Sequence, residues 1–155
     1  MRRKELTRVL YREQWVPAGR EEIFRFFSDP HNLERITPSF LHFKIKTPDP
    51  ISMAQGTEIE YRLKLHRVGL IWKSLIAEWN PPCFFRDDQV HGPFRLWSHE
   101  HVFKRLGSGT LIIDKVQFQI PGGVFEPLIN KVFVSADLER IFDYRALVIK
   151  KLWDF

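Results

Sequence analysis

Residues 57–65, TEIEYRLKL, set Thr57, Ile59, Tyr61, Leu63 and Leu65 against Glu58, Glu60, Arg62 and Lys64 in strict alternation. An extended strand with one buried and one solvated face is the structure that gives successive side chains opposite environments. The same period of two recurs in 70–79, 84–90, 94–104 and 109–120, with NPP, HGP and LGSG at junctions. Pro and Gly there break strands and favour turns, so the run reads as antiparallel hairpins, preceded by one more strand at 42–47. After Pro121-Gly122-Gly123 the period becomes helical. Val134, Leu138, Ile141, Phe142, Arg145, Val148 and Leu152 recur three and four apart, and Pro127 suits the helix start. A long helix with one apolar face must lie on a sheet that also has one.

Upstream, 6–16 reads as a strand with Thr7, Val9, Tyr11, Glu13 and Trp15 on one face and Leu6, Leu10, Gln14 and Val16 on the other; the pattern leaves open which is buried. Residues 20–28 form a short helix with acids in the first turn and Ile23, Phe24 and Phe27 as its apolar stripe. Asp29-Pro30 is an N-cap followed by a first-position proline, opening a second short helix that Pro38 stops. The plan is α+β: a curved antiparallel sheet of about seven strands gripping a long C-terminal helix, with two short helices between strands 1 and 2.

The 155 residues fit one domain, 1–155, with no repeat or low-complexity segment. Phe alone contributes 14 residues, and so many rings require a substantial interior. Cys83 is the only cysteine, which excludes an intrachain disulfide and suits a reducing, cytoplasmic setting. The basic start Met1-Arg2-Arg3-Lys4 is not followed by an apolar region of signal-peptide type, and no apolar run reaches membrane-spanning length. The net charge is +5, but Lys and Arg are scattered among acids, with small clusters only at Arg2-Arg3-Lys4 and Lys150-Lys151. That is the pattern of a solvated surface, and nucleic-acid binding is not expected.

Five phrases carry a resemblance: FSDPHNLERITP (27–38), TPDPISMAQGTEIEYRL (47–63), WNPPCFFRDDQVHGPFRLWSHEHVF (79–103), GTLIIDKVQFQIPGG (109–123) and LERIFDYR (138–145). In this order they resemble the START-like, helix-grip superfamily called SRPBCC, which includes birch-pollen allergens, polyketide cyclases and coenzyme-Q-binding proteins; the wording is most similar to bacterial ligand-binding members. The resemblance implies a deep cavity between sheet and long helix, filled by a hydrophobic or amphipathic small molecule. It also implies an epimerase-like protein partner, since some relatives are fused to or work beside such domains; no Gly-x-Gly-x-x-Gly is present to house that activity in this chain.

Alternation assigns Trp97, His99, His101 and Phe103 of WSHEHVF to one inner face, and Thr110, Ile112, Asp114, Val116 and Phe118 to the same face of the next strand. Asp87 and Gln89 share a face of the preceding strand with Phe85, and Arg145 interrupts the helix stripe. Ile59, Tyr61, Ile141 and Phe142 complete the expected pocket. Charged groups in such a place cost several kcal/mol unless they pair or meet a ligand.

Three chemistries suit this set. His-x-His with a carboxylate offers ligand types that zinc or iron accept, but the spacing is unspecific and neither a metal nor another cofactor is expected. A histidine oriented by Asp114, with His99 or His101 as acid–base, fits a cyclase or dehydratase. Apolar walls with a polar end fit binding of a lipid, quinone or polyketide-like ligand, the preferred expectation. A filled interior would instead mark a protein-interaction domain. Met53 with Gly56 is expected to shape an entry loop, Trp72 and Trp79 to be packing residues, GPF (92–94) a turn, and Gly122-Gly123 the connector before the long helix.

Overall fold

A computed structural model describes residues 6–155; the Arg2-Arg3-Lys4 cluster lies outside them. Seven strands form one antiparallel sheet in the order β1-β7-β6-β5-β4-β3-β2. They are β1 (Arg8–Val16), β2 (Lys44–Ile45), β3 (Glu58–Leu65), β4 (Val68–Asn80), β5 (Phe84–His91), β6 (Leu96–Leu106) and β7 (Gly109–Gln119). Between the edge strands β1 and β2 run α1 (Arg20–Phe27), α2 (Pro30–Arg35) and a 3-10 turn, Ser39–Leu41. Asp29 caps α2 as its sequence implies, its carboxylate accepting from the His31 backbone N–H at 2.9 Å. After β7 come a 3-10 turn (Gly123–Phe125), α3 (Glu126–Ile129), a π turn (Asn130–Val134) and α4 (Ser135–Leu152).

β1 resolves its two faces: Val9, Tyr11 and Trp15 are exposed on the outer side, whereas Val16 is fully buried. α4 buries Leu138, Phe142, Arg145 and Ile149, at spacings of four, three and four, against the concave face of the sheet. At one end Val16, Ile23, Phe24, Phe103, Ile112 and Ile149 pack into a solid cluster. There Phe24 meets Phe103 edge-on at 5.5 Å, and Trp153 lies 5.0 Å from Phe26.

Three expectations are corrected. The second strand is two residues long, because the 3-10 turn ends on His42 in a left-handed conformation (φ 45°) and extended pairing starts only at Lys44. The helical stretch from 126 to 152 is interrupted by the π turn, although Val134 still lines the cavity together with Leu138. Leu152, placed on the stripe by its spacing, is exposed.

β4 carries register shifts against β5 between Lys73 and Ser74 and between Ile76 and Glu78. Each shift bends the strand and resets the alternation, so Ile76 is buried while Trp79, three residues on, still packs on Phe24 and Phe85. The bends help curl the sheet about α4. Away from the solid end, helix and sheet stand apart.

Candidate functional site

β5, β6 and β7 lie side by side in the sheet, and their register aligns Asp87 with His99 and His101 with Asp114. All four side chains project from the concave face, as alternation requires. Their strongest contacts run diagonally across the strands. His99 Nε2 lies 2.8 Å from Asp114 Oδ1, and His101 Nε2 lies 3.0 Å from Asp87 Oδ2. His101 Nδ1 is 3.1 Å from the same Asp114 oxygen, at ion-pair distance but without hydrogen-bond alignment. The two imidazoles lie against each other at a tilt of 34° with centroids 3.7 Å apart, and the Phe85 ring stacks on His101 at 4.2 Å.

Burial depresses the His99 pKa, and the neighbouring His101 charge depresses it further, against the opposing pull of Asp114. Burial acts on His101 in the same sense, but the carboxylates of Asp114 and Asp87 override it and hold His101 above the ordinary histidine range. Burial would raise Asp114; the close approach of His101 and the hydrogen bond with His99 instead hold it well below the usual carboxylate range. Asp87 is lowered through the same balance, with help from the Arg145 charge. Burial pushes the Tyr61 hydroxyl up, leaving a neutral donor beside Asp87. Of the two rings, His101 is therefore the one that holds a proton more readily and His99 the one that gives it up first.

These groups form one wall of a cavity of about 440 Å³ between the sheet, α2 and α4. Its remaining walls are mainly apolar, among them Leu33, Ile36, Ile59, Trp72, Phe94 and Leu138. Where the cavity meets the β3–β4 hairpin, His66 Nε2 lies 2.6 Å from Asp137 Oδ2, joining the hairpin turn to the first turn of α4. Asp87, His99 and His101 place one donor atom each within 4.8 Å of one another, a set divalent metals accept, with Asp114 behind both rings as an orienting acceptor. These donors also engage one another directly.

Of the residues expected in the pocket, Ile59, Tyr61, Asp87, Trp97, His99, His101, Ile141, Phe142 and Arg145 line the cavity. Four do not. Gln89 is turned aside, its amide donating to Phe94 O at 2.7 Å and accepting from Phe94 N at 3.1 Å, which ties the 89–94 turn. Phe103 and Ile112 lie farther along their strands, inside the solid cluster. Asp114 sits behind the histidines, reaching the cavity only through them. Trp72 and the Phe94 of GPF are cavity walls as well as packing groups; their rings lie 5.7 Å apart, and the Trp72 Nε1–H donates to Ser74 Oγ at 3.1 Å. Met53 also lines the cavity. The 66–137 link went unread because neither residue belongs to a motif; a lone Asp in the first turn of an amphipathic helix was the available signal.

No protein-family model and no curated sequence matches the chain. Solved structures do. The Zhui aromatase/cyclase from Streptomyces sp. R1128 is similar with a TM-score of 0.74 at 15 % identity, covering 96 % of this chain and 94 % of that one. Major latex-like protein 151 from Panax ginseng gives 0.70 at 13 % identity, covering 96 % and 98 %. A norcoclaurine synthase point mutant from Thalictrum, in complex with a transition-state analogue, gives 0.68 at 13 % identity, covering 96 % and 97 %. The chain therefore has the Bet v 1-like helix-grip fold.

Proposed function

We propose that this protein binds a hydrophobic or amphipathic small molecule between its sheet and α4. The observation that supports this is the cavity: about 440 Å³ is within the range that holds drug-sized organic molecules, and its polar groups gather on one wall. Apolar walls gain free energy by removing ligand surface from water, while the polar wall fixes which end goes where. Native mass spectrometry and solvent extraction of the purified protein test it. An organic molecule at near-stoichiometric amount, or saturable one-to-one uptake of a hydrophobic fluorophore, is expected. A protein that carries nothing and takes up no apolar probe would sink the idea.

The adjacent imidazoles support a second reading, acid–base catalysis of a cyclisation or dehydration, which the cyclase and synthase among the structural neighbours make chemically reasonable. Such steps need one group to take a proton from carbon and another to give one to a departing or forming hydroxyl. His99, whose pKa is lowered, suits the first role, His101, whose pKa is raised, the second, and Asp114 the orientation of both. If turnover of a β-ketothioester persists in both His99→Gln and His101→Gln, this chemistry is excluded.

A further inference from the structure

Arg145 is a charge buried without a direct partner. It is 7 % exposed, stands on the inward stripe of α4 and lines the cavity. Neither Nε nor Nη1 meets an acceptor, and the residue forms no ion pair among the described residues. Its guanidinium carbon lies 4.8 Å over the Phe142 ring, a weak cation–π contact. Asp87 and Asp114 lend it Coulombic support without pairing with it, and one oxygen of each is engaged by a histidine, Asp87 Oδ2 by His101 and Asp114 Oδ1 by His99. A guanidinium has five donors in a planar fork, and burying it unsatisfied is costly. A leucine or methionine would fill the same stripe position at no such cost. Orphaned donors beside an open cavity point to an acceptor that arrives with the ligand.

We propose that the ligand is an amphipathic anion, a carboxylate on an apolar body, whose head group docks on Arg145 beside His99 and His101. The proposal rests on the small-molecule-binding reading above and narrows it. A carboxylate matches the guanidinium fork in plane and spacing, so two parallel N–H···O bonds can form where none exists now. A divalent cation in the same place would leave the wall with excess positive charge beside Arg145.

The test compares decanoate with decanol, and 2-naphthoate with 2-naphthamide, by calorimetric titration at neutral pH into wild type, Arg145→Met and Arg145→Lys. Each acid is expected to bind wild type roughly 10- to 100-fold more tightly than its neutral counterpart, the worth of a charge-assisted hydrogen bond or two. Arg145→Met should lose that preference and still bind decanol at least as well, which also establishes that it folds. Arg145→Lys should recover part of it. Equal affinity of acid and neutral probe for wild type, or an undiminished preference in Arg145→Met, overturns the anion assignment and leaves the cavity reading standing. If no probe of either kind binds, both fall together.

Discussion

One carboxylate oxygen, Asp114 Oδ1, faces two imidazoles, 2.8 Å from His99 Nε2 and 3.1 Å from His101 Nδ1. Asp114→Asn keeps the shape and removes the charge, so the histidine pair loses the group that holds its proton. Unfolding in urea is expected to show a loss of about 2–3 kcal/mol, the scale for one partner of a buried charge-assisted bond. The wild-type pH profile follows from the same contacts. His101, raised when folded, contributes stability that is complete below the ordinary histidine value of about 6.5 and is lost as pH rises through its folded value. His99, lowered when folded, acts oppositely: below about 6.5 the unfolded chain takes a proton that the folded one refuses. Asp87 and Asp114, both lowered, contribute above about 4 and lose that contribution as pH falls through their folded values. The urea midpoint should therefore peak near pH 6–7 and fall on both sides, and the alkaline fall should flatten in Asp114→Asn. Ring resonances followed by NMR should titrate above the ordinary value for His101 and below it for His99. Alternation within WSHEHVF and GTLIID placed these side chains on one face from sequence alone. The diagonal pairing was not legible, because it depends on a register that only the assembled sheet defines. Nor was the fate of Gln89, since an amide that can satisfy a nearby turn cannot be told by spacing from one that meets a ligand.

At the scale of elements, the strands and both short helices were legible because their signals are local: alternation, the Asp29-Pro30 cap and the stop at Pro38. The β3–β4 turn was legible only as a gap between two alternating runs, because His66 and Arg67 adopt positive φ (48° and 68°) with no Asn or Gly at either position. The π turn was missed because helical spacing on either side reads as continuous. Gly122 shows why the connector has its composition. Its φ is 137°, and a Cβ there would stand 2.6 Å from Ile129 Cδ1, against the segment that leads into the cavity roof. Gly122→Ala is expected to cost about 1–3 kcal/mol from backbone strain and overpacking. Gly19→Ala is the control: its φ is −65° and a Cβ meets nothing within 4 Å, so its melting temperature should hardly change. Equal effects in thermal melts would contradict this account of the connector.

For the whole molecule, the cavity implies that the space between helix and sheet is maintained rather than collapsed. Leu138→Trp puts an indole into that space from α4. Because it fills a void and buries more apolar area, the variant should keep or slightly raise its melting temperature while losing uptake of decanol. A variant that still binds decanol as wild type does would place uptake elsewhere. The order of the sheet has a consequence for how the protein is made. β1, near the start of the chain, pairs along its whole length with β7, Arg8 lying opposite Phe118. At typical synthesis rates, on the order of ten seconds separate these residues leaving the ribosome. Until then the β1 backbone has no strand beside it and Val16 no core to enter, so nascent chains of this protein should depend on chaperones until β7 emerges and the sheet can form.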